Sequence, residues 1–186
     1  MPHQLIRFVA VVVFLVGTGV VAGWVWEAVW DAPVGGVEDG RWFPIPAETG
    51  LRAQFSGTAI YVFVALAAGL IAGTLIALLT RGAELLTLAA VVVGSGIGSV
   101  VMARVGAALG PEDPSGLAKR AEDGDLLLGN LEVTGLSPYV ALPFGALLAL
   151  MVVFFLTAGH GRYDEERARP GDDTVSDDRS GPSPRP

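Results

Sequence analysis

Four long stretches without a charged residue constrain the fold of this chain more than any other feature. They cover residues 8–26, 53–80, 85–103 and 133–161. A helix needs about 20 apolar residues, at about 1.5 Å per residue, to cross about 30 Å of hydrocarbon. A helix buried in a water-soluble protein keeps a polar face at helical period, and these stretches have none. We therefore predict an all-α membrane protein built as a four-helix transmembrane bundle.

The predicted domain organisation follows from these stretches. A four-span domain over residues 1–162 contains spans at about 6–30, 56–81, 85–109 and 138–159, joined on one side by outer loops at 31–55 and 110–137. Residues 163–186 are acidic and lack apolar periodicity, so we expect a disordered cytoplasmic tail.

The start of the fourth span depends on two prolines. A span long enough to cross the membrane must begin near Pro138, with Ser137 as its N-cap. Pro143 then lies inside the first turns and is expected to kink the helix.

The first stretch has an alternative interpretation as a cleaved signal peptide, because Arg7 precedes it. Its apolar run exceeds the usual 7–15 residues of a signal peptide. It also ends in Trp24 and Trp26, where a cleavage site would have small residues. An uncleaved span is therefore favoured.

Composition excludes several classes of activity. The chain has no cysteine, so a thiolate metal site and a cysteine nucleophile are excluded, and its net charge of −7 disfavours binding to nucleic acid. The only histidines, His3 and His160, have no sequence-near partner for a metal. No nucleotide-binding glycine motif follows a predicted strand. We expect no enzymatic activity, no cofactor, no metal and no nucleic-acid partner.

The distribution of basic residues predicts the orientation. Four spans place both termini on one side, where Arg7, Arg81 and Arg162 directly adjoin spans. Tryptophans collect at the other end and are expected to form an interfacial belt: Trp24, Trp26, Trp30 and Trp42. By the positive-inside rule, we predict a multi-pass protein of a bacterial plasma membrane with both termini in the cytoplasm.

The outer loops contain signals for local structure. Asp39-Gly40 suits a type I′ turn between residues 34–38 and 41–45, and Pro44 restricts the second segment to a sheet edge. The second loop predicts a short helix capped by Ser115 and extending to about Glu122, followed by an extended segment. We expect the two loops to pack together as a small extracytoplasmic cap; two independent loops are the alternative.

Glycine pairs four residues apart occur in three of the predicted spans: Gly19 and Gly23, Gly69 and Gly73, and Gly94 and Gly98. Such pairs let helix backbones approach closely in lipid. Packing within one bundle is the first interpretation, and a homodimer interface is the alternative.

Two ionisable residues lie at similar depth near the outer ends of parallel spans. Glu27 is about 31 Å along its helix from Ile6, and Arg104 is about 29 Å from Leu85. They are candidates for an ion pair or an anion-binding site at the outer interface. In the alternative, each side chain reaches the headgroups separately.

A run of short motifs resembles a known family. Gly23-Trp24-Val25-Trp26 leads into Ala32-Pro33-Val34, then into Asp39-Gly40, and then to Glu48. Over about residues 5–160 this layout is similar to a family of small four-span actinobacterial membrane proteins known only as a domain of unknown function. The resemblance implies a plasma-membrane location and assigns no functional residue.

These features favour an accessory or scaffolding role. The centres of the spans hold none of the charged groups expected of a transporter. We expect the lipid bilayer as surroundings and a membrane-protein partner bound through the outer loops or the glycine-rich helix faces. The alternatives are a sensor or binder of a small ligand or lipid at the outer face, and a subunit of an oligomeric channel or transporter.

Overall fold

Four long helices dominate the structure, a computed structural model that describes residues 2–80 and 84–167. They are α1 (Pro2–Val29), α2 (Ala47–Leu79), α3 (Glu84–Leu109) and α5 (Ala141–Arg167). The short elements are β1 (Val34–Glu38), β2 (Arg41–Pro44), α4 (Pro114–Ala118), β3 (Leu126–Leu128) and a 3-10 turn at Ser137–Val140. The predicted all-α class with four apolar helices is confirmed.

Four segments of the described chain are long and apolar enough to cross a membrane: His3–Val29, Phe55–Leu79, Leu85–Ala118 and Ser137–Thr157. Such a set of helices fits a multi-pass integral membrane protein. We call the end of the bundle that carries the strands the sheet end.

Two helices extend beyond the apolar residues that predict them. α2 begins at Ala47, so residues 47–55 of the predicted outer loop are helical. α5 continues to Arg167, which includes the first residues of the predicted tail. An apolar run marks where a span meets lipid, whereas a helix continues as long as each added residue gains a hydrogen bond. The rest of the predicted tail, residues 168–186, and residues 81–83 at the junction of the second and third predicted spans lie outside the described residues.

The segment from Phe155 onward is a separate compact unit, and its described part is helical to Arg167. The core of the larger unit lies between the helices in two clusters. One surrounds Trp26 and Tyr61 towards the sheet end, and the other surrounds Leu15 and Ile76 towards the opposite end.

The fourth candidate span begins at Ser137, next to the predicted start at Pro138, but its first turn is not α-helical. Leu136, not Ser137, is the N-cap, and residues 137–140 form a 3-10 turn before the α-helix begins at Ala141. Pro143 therefore lies in the first turn of α5. Because Pro143 has no N–H, it cannot donate a hydrogen bond to the Tyr139 carbonyl one turn earlier, and the kink stays a prediction.

The two loops at the sheet end form one antiparallel sheet in the order β2-β1-β3. The predicted hairpin is confirmed: Asp39 and Gly40 have φ of 51° and 68°, as a type I′ turn requires. β2 is an edge strand, as its proline predicts. Because β3 from the second loop pairs with β1 from the first, the loops are joined and are not independent.

The short helix of the second loop begins and ends earlier than predicted. Asp113, not Ser115, is its N-cap, since the Asp113 carboxylate accepts a hydrogen bond of 2.9 Å from the Ser115 amide. The helix ends at Ala118, four residues before the predicted end at Glu122. Proline at its first position suits this start.

Candidate functional site

The glycines of α1 and α3 lie in a close contact between these two parallel helices. A Cβ atom on Gly19 would lie less than 3.0 Å from the backbone of Gly98, and one on Gly23 would lie 2.6 Å from the Met102 carbonyl oxygen. A Cβ on Gly94 would meet the Leu15 side chain at 2.9 Å. The backbones of α1 and α3 can approach this closely only because these residues lack side chains.

Gly69 and Gly73 have the same packing role between α2 and α5. A Cβ on Gly69 would overlap the Leu142 carbonyl, and one on Gly73 would overlap the Ala146 carbonyl. Gly145 of α5 lies equally close to Leu66 of α2. All six glycines predicted as packing residues therefore lie in contacts within the chain. A homodimer cannot use the same faces while these neighbours cover them.

An aromatic cluster occupies the sheet end of the bundle. Trp26 and Tyr61 are completely buried, and their rings pack edge-to-face with centroids 5.1 Å apart. The Trp26 indole donates a hydrogen bond of 2.8 Å to the Gly57 carbonyl, and the Tyr61 hydroxyl donates one of 2.7 Å to the Ser99 carbonyl. These bonds join α1 to α2 and α2 to α3.

The predicted tryptophan belt is therefore only partly correct. Trp24 is 60% exposed, as a belt residue should be, whereas Trp26 and Trp30 are buried in the bundle. Trp42 lies in the sheet, where its indole crosses β1 above Gly35 and donates a hydrogen bond of 3.0 Å to the Leu127 carbonyl. Sequence spacing locates these residues near the interface but does not tell which of them point inward.

The Trp30 indole N–H has no hydrogen-bond partner, alone among the fully buried polar side-chain atoms of the described residues. It lies beside Gly57, where an added Cβ would be 3.2 Å away from the indole nitrogen. An unpartnered buried donor costs about 1–3 kcal/mol. The aromatic packing around it must offset this cost.

The structure does not bring Glu27 and Arg104 together. Gly98, Met102 and Gly106 of α3 lie against α1. Arg104 is two residues from both Met102 and Gly106, so it lies about 200° around the helix from this contact. Arg104 is exposed, Glu27 is half-buried, and within residues 2–80 and 84–167 no ion pair links them. Similar depth in the membrane does not make two residues neighbours, because their rotational positions differ.

The sheet has one covered face and one open face. The covered face includes Gly35, Val37 and Trp42, and Val37 is only 3% exposed. The strand register places five large apolar side chains on the opposite face, which we call the exposed sheet face: Val34, Phe43, Ile45, Leu126 and Leu128. They are 44–68% exposed.

The sequence pattern does not indicate the exposed sheet face. Residues 126–128 are three consecutive leucines, and this run shows no alternation of apolar and polar residues. Only the pairing of β3 with β1 decides that Leu126 and Leu128 share a face with Val34.

No group of three or more His, Asp or Glu side chains in the described part of the chain is arranged to hold a metal ion. No family model matches the chain, and no curated protein or solved structure is significantly similar to it.

Proposed function

We propose that this chain is an accessory or scaffolding protein of a bacterial plasma membrane and that it binds a partner protein through the exposed sheet face. The observation that supports the proposal is the cluster of five apolar side chains outside the membrane-spanning segments, each at least 44% exposed. Contiguous apolar patches of this kind mark interaction surfaces. The glycine-rich helix faces, the other predicted docking surfaces, are already covered within the chain.

The chemistry of the sheet favours a protein over the bilayer as the partner. β2 and β3 are open edges of the sheet. An open edge in hydrocarbon leaves backbone N–H and C=O groups without partners, at a cost of several kcal/mol each. A partner protein can cover the apolar face, while water or polar groups of the partner form hydrogen bonds with the backbone N–H and C=O groups at these edges.

Aspartate substitutions on the exposed sheet face test the proposal. The double variant Phe43→Asp/Leu126→Asp is expected to weaken partner binding at least roughly thirtyfold, which corresponds to about 2 kcal/mol, because it introduces charge into an apolar contact. The measurement is the amount of a stoichiometric partner that co-purifies from native membranes in mild detergent.

Leu117→Asp is the matched control. Leu117 is 37% exposed on α4 and lies outside the exposed sheet face, so this variant should keep the partner. If the double variant retains the partner as the wild type does, the exposed sheet face is not the interface. If the control loses it equally, the effect is not specific to this face.

The proposed orientation has a separate test, because the chain has no cysteine of its own. Asp123→Cys introduces a cysteine into the exposed loop between α4 and β3 at the sheet end, and Ser176→Cys introduces one into the predicted tail. A membrane-impermeant maleimide added to intact cells should label Asp123→Cys, and Ser176→Cys only after lysis. The reverse pattern would invert the orientation.

A further inference from the structure

An apolar groove runs between α1 and α2 within the membrane-spanning part of the bundle. It extends from Phe14 to Val25 on α1 and from Val64 to Leu75 on α2, and its volume is about 670 Å³. The groove exists because close glycine contacts join α1 to α3 and α2 to α5. Among the described residues, no close glycine contact joins α1 to α2 along the groove.

The walls of the groove suit only an apolar ligand. Ala22 and Ala72 are 3% and 1% exposed beneath it, and a Cβ on Gly17 would meet no atom within 4 Å. Thr18 brings the only side-chain polar group among the lining residues, and its hydroxyl donates a hydrogen bond of 2.9 Å to the Phe14 carbonyl. No side chain is left to bind a polar ligand.

The length of the groove matches an acyl chain. Its lining covers the middle of both helices, Phe14–Val25 within the His3–Val29 segment and Val64–Leu75 within the Phe55–Leu79 segment. Its eleven-residue rise along each helix is about 16 Å. Half of a hydrocarbon core is about 15 Å.

The lipid that surrounds a membrane-spanning bundle supplies an apolar occupant of this groove at high local concentration.

We propose that this groove is a binding site for one acyl chain of a phospholipid. The acyl chain fills the groove, which would otherwise be an apolar void between the α1–α3 pair and the α2–α5 pair. The site is separate from the exposed sheet face and does not depend on the proposed protein partner.

A groove-filling substitution tests the site. Gly17→Leu places a larger side chain in open space, so it should occupy the groove without disturbing the fold. Native mass spectrometry of the detergent-purified protein with dipalmitoyl phosphatidylglycerol should show about tenfold weaker lipid binding for this variant than for the wild type, because displaced methylene contacts are lost. Dioctanoyl phosphatidylglycerol, which has the same headgroup and shorter chains, should bind the wild type more weakly than the dipalmitoyl lipid.

Gly96→Leu is the matched control, because a Cβ on Gly96 of α3 also meets nothing within 4 Å and Gly96 does not line the groove. It should bind lipid as the wild type does. Equal binding to the wild type and Gly17→Leu would overturn the proposal. Equal binding of the two lipids would place recognition at the headgroup and would also overturn it. A wild-type dimer that Gly17→Leu converts to a monomer would assign the groove to a second copy of the chain.

Discussion

Replacing Gly98 with leucine is expected to lower the free energy of unfolding by about 3 kcal/mol or more, at the upper end of overpacking effects. A Cβ at this position would lie 2.7 Å from the Leu15 carbonyl oxygen. The obstacle is helix backbone, which cannot rotate aside as a side chain can. α1 and α3 must therefore separate, and the contact of Gly19 with Gly98 is lost. Titration with a denaturing detergent, followed by circular dichroism, measures the change.

Gly96→Leu provides the comparison on the same helix, two residues away. Its side chain enters open space, and replacing a helical glycine removes an entropic cost of about 0.5–1 kcal/mol. Its stability should be unchanged or slightly higher than that of the wild type. Equal destabilisation by the two variants would contradict the close contact between α1 and α3.

Replacing Trp26 with alanine is expected to lower the free energy of unfolding by about 3–5 kcal/mol. The Trp26 side chain is completely buried, packs against the Tyr61 ring and lies over Gly106. Its removal leaves a large cavity at the sheet end and breaks the hydrogen bond to the Gly57 carbonyl. The same detergent titration should show a much earlier transition.

Trp24→Ala is the control that shows whether the loss of stability depends on burial or only on removing a tryptophan. Trp24 lies two residues from Trp26 and is 60% exposed. We expect its effect to stay within about 0.5 kcal/mol. Trp26→Phe keeps an aromatic ring and removes the indole donor, so it should cost about 1 kcal/mol for the hydrogen bond, beyond any loss of packing. If Trp24→Ala destabilises the protein as much as Trp26→Ala, the assignment of Trp26 to the bundle interior is wrong.

Features that depend on neighbouring residues in the chain were predictable from the sequence. The apolar runs predicted four long helices, because hydrocarbon requires about 20 apolar residues and internal backbone hydrogen bonds. Asp39-Gly40 predicted the hairpin, because that turn needs two residues with positive φ. The ends of α2 and α5 were not predictable in this way, because polar residues continue a helix beyond the lipid.

The amino-acid sequence alone determined that apolar helices and a tight hairpin would form, because solvent preference and turn geometry act over a few adjacent residues. Only the tertiary structure decided which surfaces meet. Glu27 and Arg104 share a depth but differ in rotational position, and Trp26 is buried while Trp24 is exposed. The six glycines lie between helices of the same chain, and three strands from two loops bring five apolar side chains to one open face. These outcomes depend on how each helix is rotated against its neighbours and on strand pairing, which involve residues far apart in the sequence.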